Sequence, residues 1–136
     1  MVCVWVYDGK GKVLLTRRAP EKSFAGTWEN SGGGAQAGEE SLQAITRELY
    51  EETGIQAQPE EFKLLCTGRD RIAHYDFYAL KRSSDTKIIL QPGETDNYRW
   101  ASYDEVEEMI KMKMICNAIA KQFHRQRPLL EQLEDN

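Results

Sequence analysis

Residues 33–55 read GGAQAGEESLQAITRELYEETGI, and how this stretch folds decides how the rest of the chain is read. A glycine-rich run ends at Gly38, and a helical pattern starts at once. Leu42, Ile45 and Leu49 recur at i, i+3 and i+7 with Ala44 at their edge, which predicts one apolar stripe turned to a core. Glu48, Glu51 and Glu52 fall at i, i+3 and i+4, so their carboxylates share the adjacent face of that helix. Gly54 stands where a left-handed residue ends a helix with least strain.

Three acids on one helix face repel each other by roughly 0.2–0.5 kcal/mol per pair. No lysine is interleaved among them, and Arg47, one turn before Glu51, is the nearby cation. A hard divalent cation such as Mg2+ answers that repulsion, because it takes oxygen ligands and completes its shell with waters and substrate phosphates. A solvated acidic face is the plainer reading of an acidic helix. The spaced glycines, the single arginine and the closing Gly54-Ile55 argue against it here.

Stripped to its distinctive positions, the stretch is Gly33, five residues, Glu39, seven residues, Arg47-Glu48-Leu49, one residue, Glu51-Glu52, one residue, Gly54-Ile55. In this it resembles the Nudix box at every specified position, with Leu49 and Ile55 in the aliphatic places. So many residue types at rigid spacing are far more specific than a short glycine motif. The box covers about a sixth of the chain, and strand-like segments on both sides fit the remainder of such a domain.

Composition agrees with one compact domain. The chain has 136 residues, 40% hydrophobic and 29% charged, enough to bury a core. A net charge of −4 and a pI near 5.3 speak against broad binding to nucleic-acid polymers or membrane surfaces. Cys3, Cys66 and Cys116 are far apart, odd in number and without CxxC spacing, so they read as ordinary thiols of a reducing cytoplasm. No signal peptide or membrane span is visible. Residues 1–126 read as the single domain and 127–136 as a C-terminal tail. The chain starts inside its first strand, which suggests a natural N-terminal extension is missing.

Outward from the box, residues 2–7 (VCVWVY) form a continuous apolar, β-branched run and predict a buried strand. Asp8-Gly9-Lys10-Gly11 is a turn, and residues 12–17 predict the hairpin partner. Arg17, Arg18 and Lys22 lead into a polar loop. Arg17 suits bidentate contact with a substrate phosphate; Arg18 and Lys22 read equally as ligand contacts or solvated charges. Trp5, Phe24 and Trp28 read as core. Residues 61–66, 72–80 and 87–90 predict strands, the second carrying His74 and Asp76 as weak site candidates. A polar loop at residues 91–97 leads to a strand at 98–101. Ser102 with Glu105 forms a capping box that opens a helix. A last helix is predicted over 116–123, with a loosely packed tail after Pro128.

The resemblance implies an α/β (α+β) fold, a mixed sheet sandwiched between helices, with the box as a loop-helix-loop at the sheet edge. It implies Mg2+ (or Mn2+)-assisted water attack on a diphosphate linkage of a small phosphorylated substrate, a nucleoside diphosphate derivative or nucleoside triphosphate. Carried over by position, Glu51 and Glu52 are direct metal ligands and Glu48 is a ligand or the general base. A main-chain carbonyl at Gly32 or Gly33 joins them. Glu94, the acidic loop residue, is the alternative base. Arg17 and Gly34 touch substrate, while Glu39, Arg47 and Gly54 shape the motif. Homodimers are common among proteins of this kind.

Two other readings stand beside it. Residues 18–31 (RAPEKSFAGTWENS) resemble isopentenyl diphosphate isomerase, which shares the fold but shifts a double bond. Its catalytic cysteine, glycine and metal-binding histidine correspond to Gly33, Gly34 and Ala35, so two of the three are missing while the hydrolytic acids are complete. A non-catalytic metabolite-binding regulator is the other. That outcome goes with loss of box acids, and none is lost. No segment outside the box marks a particular substrate.

Overall fold

A computed structural model describes residues 1–135 of the chain. Its strands are β1 (Val2–Tyr7), β2 (Lys12–Arg18), β3 (Trp28–Glu29), β4 (Ser31–Gly33), β5 (Lys63–Arg69), β6 (His74–Lys81) and β7 (Thr95–Ser102). Its helices are α1 (Ser41–Thr53), α2 (Tyr103–Lys111) and α3 (Asn117–Glu134). All seven strands join one mixed sheet. β1 runs parallel to β6 along its whole length, and the other pairings are antiparallel. No helix among the described residues is long and apolar enough to cross a membrane.

β1 is buried at every position because both faces of the sheet are covered. Val2, Val4 and Val6 point to one core with Leu14, Ala44, Ile45 and Leu49 under α1. Cys3, Trp5 and Tyr7 point the opposite way, to a second core under α2 and α3 that includes Val106, Ile119 and Phe123. The expected mixed sheet between helices is what the chain forms. Trp5 donates its indole N–H to Gln126 at 2.6 Å, which explains a glutamine with no solvent exposure in the middle of α3.

The feature that makes room for a site is a splay between β1 and β2. They pair only near their shared turn, at Tyr7 with Val13. Beyond it β2 pairs through Thr16 and Arg17 with Glu29 and Trp28, while β1 pairs through Val2 to Val4 with Gly33 to Ser31. The short β3–β4 segment is thus wedged into the opening. Gly32 must be glycine there, because a Cβ would meet the Val2 carbonyl oxygen at 2.2 Å.

Several expectations are corrected. Leu42 is 37% exposed, and the buried face of α1 is built from Ala44, Ile45 and Leu49. Ser41 beside it is half-buried, its hydroxyl within 2.7 Å of Asp76 and 2.6 Å of Tyr78. Residues 59–61 form a 3-10 turn before β5 starts at Lys63. Residues 87–90 form no strand, since the Ile89 N–H is spent on the Thr53 carbonyl at the end of α1, at 2.8 Å. The last helix runs through Pro128 to Glu134, with Leu130 fully buried. Beyond Pro128 the chain is therefore packed helix, and Glu134 accepts the Gly9 and Gly11 N–H groups of the first turn. The Ser102–Glu105 capping box forms as expected, and Gly54 ends α1 at φ 76.

Candidate active site

The strand order places α1 across the mouth of the splay, so its acidic face looks into a cavity of about 510 Å³. Five carboxylates border that cavity: Glu48, Glu51 and Glu52 from α1, Glu29 from β3, and Glu94 from the loop before β7. Two cations border it as well, Arg18 and Lys22. Each is already engaged, Arg18 with Glu29 at 3.2 Å and Lys22 with Glu94 at 2.6 Å. The cavity is therefore acidic on balance.

Arg47 stands outside the cavity and organises the motif. Its guanidinium donates to Glu39 at 2.7 Å, to Glu48 at 3.0 Å, to Glu51 at 3.2 Å and to the Gly34 carbonyl at 3.1 Å. The bonds from Arg47, with the Gln36 N–H, hold the Glu39 carboxyl down at about 2. Glu48, which borders the cavity, gives Arg47 only Oε1. Burial raises the proton affinity of Glu48 despite the arginine.

Glu52 has no such partner. It accepts one long bond, from the Gly32 N–H at 3.4 Å. Burial first, then the neighbouring Glu29 and Glu48 charges, push its carboxyl well above the ordinary range. Gly33 lets this crowding exist, because a Cβ there would lie 2.5 Å from the Glu48 carboxyl carbon.

The sequence-derived candidates divide by place. Glu48, Glu51, Glu52, Glu94 and Gly33 all border the cavity. Arg17 and Gly34 do not. Alternation along β2 turns Arg17 away, where Asp96 holds it at 2.7 Å and it lies over the Trp28 ring at 5.7 Å. Arg18 takes the cavity side. His74 and Asp76 sit apart on β6, 3.6 Å from each other, with Asp76 bound by Ser41.

Glu29, Asn30 and Thr95 border the cavity without a sequence signal that singled them out. The Asn30 amide nitrogen and the Thr95 hydroxyl are buried with no partner, and such groups await water or a ligand. Phe24, expected in the core, is 73% exposed and left-handed at φ 56. That conformation costs a side-chain-bearing residue about 1–3 kcal/mol and concentrates at functional sites.

The chemistry of the donor set fits a hard cation: carboxylate oxygens in excess, one of them buried beside others of its own charge. The fit is of type and place. Among the described residues no three His, Cys, Asp or Glu side chains are gathered closely enough to enclose an ion as they stand, since Arg47 draws Glu48 and Glu51 to itself.

Known proteins match this chain over most of its length. The family model described as NUDIX domain matches residues 1–124. The chain is 31% identical over 129 residues to the m7GpppN-mRNA hydrolase NUDT17 of Danio rerio, covering 80% of this chain and 43% of that protein. It is 32% identical over 117 residues to the isopentenyl-diphosphate Delta-isomerase of Pectobacterium atrosepticum, covering 82% of this chain and 65% of that one. The chain thus spans from under half to just under two thirds of these relatives. Among solved structures, DR0079 from Deinococcus radiodurans superposes with a TM-score of 0.78 at 21% identity, over 92% of this chain and 80% of that one.

Proposed function

We infer a function from the premise that the match over residues 1–124 establishes: this chain belongs to the Nudix family. The reaction we propose is hydrolysis of a diphosphate linkage in a nucleoside diphosphate derivative or a nucleoside triphosphate. Water forms the new bond to phosphorus, the bridging P–O bond breaks, and the proton leaves to a carboxylate. Mg2+ is the assisting ion, with Mn2+ as its substitute. The observation that carries this is the half-buried Glu52, surrounded by Glu29, Glu48 and Glu94 with no cation bound to it among the described residues. An uncompensated acid in that position is a cost to the fold unless a cation meets it.

Glu51 and Glu52, with the Gly33 carbonyl, would hold the ion, which when bound would polarise phosphoryl oxygens and lower the pKa of water. Arg18 and Lys22, which border the same cavity, orient the phosphates by exchanging their Glu29 and Glu94 partners for them. Glu48 is the better placed proton acceptor. Burial raises its proton affinity and its Oε2 is free of Arg47, whereas Lys22 occupies Glu94 at 2.6 Å. Arg47 keeps Glu48 in place and Glu39 anchors Arg47. Three free thiols, Cys3, Cys66 and Cys116, support a cytoplasmic setting.

The isomerase relative favours a second reading, and the site argues against it. A side chain at position 33 would collide with the Glu48 carboxylate, so the place of a catalytic cysteine is filled by the hydrolytic acid. Cys3 borders the same cavity, but burial pushes its thiol up to about 12.

The test is a hydrolysis screen over nucleoside triphosphates, nucleotide sugars, dinucleotides and isopentenyl diphosphate, with and without Mg2+, beside Glu52→Gln. Turnover of one class that needs the ion and falls at least about 100-fold in the variant is expected. Conversion of isopentenyl diphosphate to its isomer, or tight binding with no turnover of any compound, would overturn the proposal.

A further inference from the structure

Three loops meet around a hollow of about 450 Å³ beside the acidic cavity, and each exposes an apolar side chain to solvent. Phe24, on the loop between β2 and β3, borders the hollow itself. Asp70 brings in the β5–β6 tip, where Ile72 is 95% exposed. Lys113 brings in the α2–α3 link, where Met112 is 63% exposed. Single exposed apolar residues are ordinary on a protein surface, but one on each of three neighbouring loops marks an interaction face.

The loops are held in these shapes by their own hydrogen bonds. The Phe24 carbonyl accepts the Thr27 N–H at 3.2 Å and the Thr27 hydroxyl at 2.7 Å. Asp70 accepts the Ile72 and Ala73 N–H groups, each at 2.8 Å. Met112 donates its N–H to the Glu108 carbonyl at 3.0 Å, and Lys113 turns the link at φ 59. Each apolar tip is therefore presented on a hydrogen-bonded turn that leaves it in water.

The same loops are cationic. Arg69 and Arg71 flank Asp70, Lys111 and Lys113 flank Met112, and Lys121 borders the hollow from α3. All five are exposed, and none forms a salt bridge with a described residue. Asp70 is the one carboxylate among the hollow's described lining residues, and it is spent on its own turn. The chain's net charge of −4 hides this face, because five of its acids border the other cavity.

We propose that this face docks on an anionic lipid surface. The cations meet headgroup phosphates and carboxylates, and the Ile72 and Met112 side chains enter the headgroup layer. The aliphatic tips decide for lipid over a polynucleotide or an acidic protein segment. Ile72 and Met112 give nothing to a stacked base or a charged chain, and they gain by leaving water. This docking does not depend on the hydrolase reading.

Co-sedimentation of the full chain with vesicles tests it without turnover. Phosphatidylcholine vesicles with about one third phosphatidylserine are expected to pellet the protein, and phosphatidylcholine alone to leave it in solution. Raised salt should release it. Arg69→Gln with Arg71→Gln should weaken binding by about 30-fold, the loss of two cations near an anionic surface. Ile72→Ser with Met112→Ser should weaken it by about tenfold or more. Both variants should melt as the wild type does, since all four side chains are exposed. No pelleting on the mixed vesicles, equal pelleting on both kinds, or variants that pellet as wild type does would overturn the proposal. Binding to polyuridylate or polyglutamate in preference to the mixed vesicles would overturn it too and give the face to a polyanion. Failure here leaves the result of the hydrolysis screen untouched, and failure of that screen leaves the docking face standing.

Discussion

Arg47 and Glu52 lie on neighbouring turns of α1 and meet opposite fates. The arginine is surrounded by Glu39, Glu48, Glu51 and the Gly34 carbonyl, so each of those acceptors has a donor. The glutamate is surrounded by Glu29, Glu48 and Glu94 and accepts a single long backbone bond. The first arrangement ties the glycine loop to the helix and does the work of folding. The second gives up stability at a place where a ligand can restore it, as active sites commonly do. Glu48 belongs to both, with one oxygen on Arg47 and the other free of it.

That contrast can be broken at its joint. Gly33→Ala puts a methyl group where the Glu48 carboxyl carbon is 2.5 Å away, so Glu48 must move. Turnover is expected to fall by about tenfold or more, with a thermal melt close to that of the wild type. A large loss of stability with unchanged turnover would mean that Glu48 belongs to the structural half alone.

The two poles should also respond in opposite senses to neutralisation. Without metal, Glu52→Gln removes an uncompensated half-buried acid and should raise stability, by up to about 1 kcal/mol. Arg47→Gln leaves three carboxylates facing one another and should lower it by about 1–2 kcal/mol. Added Mg2+ should narrow the gap, by stabilising the wild type and Arg47→Gln but not Glu52→Gln. Urea melts with and without the ion measure this, and shifts of the same sign in both variants would refute the contrast.

The smallest effect is the pH dependence of the balanced pole. Glu39 titrates near 4.5 in an unfolded chain and near 2 when folded. Its bond to Arg47 therefore supports the fold fully above the unfolded value and is lost as pH falls from about 4.5 through about 2. Melting temperatures across that window should decline, and Glu39→Gln should make the decline shallower. An unchanged slope in the variant would show that other carboxylates set it.

How much of this was legible in the sequence follows from what each residue's role depends on. The acids of α1 could be read because their relation is one helical turn, a local fact that periodicity carries. The same holds for the Ser102–Glu105 cap and for Gly54. Leu42 failed because its exposure depends on which way α1 is rolled on the sheet, and the roll it adopts buries Ala44, Ile45 and Leu49 and brings Ser41 to Asp76 and Tyr78. Arg17 and Arg18 are adjacent and chemically alike, and only the pairing of β2 with β3 and β7 decides which faces the cavity. Glu29 is brought in by the wedge between β1 and β2, a long-range fact with no local pattern. Phe24 looks like any core aromatic until the loop's hydrogen bonds turn it out.

The parallel pairing of β1 with β6 reaches beyond the architecture. Val2 lies beside Asp76 and Tyr7 beside Lys81, so one whole edge of the most buried strand waits for a partner made much later on the ribosome. Contacts of such sequence separation slow folding, since a long loop must close before any of them forms. During that interval VCVWVY is an uncharged, β-prone hexapeptide with an open edge, the kind of segment that seeds association between nascent chains. The strand on which both cores depend is thus the one most in need of a chaperone's cover during synthesis.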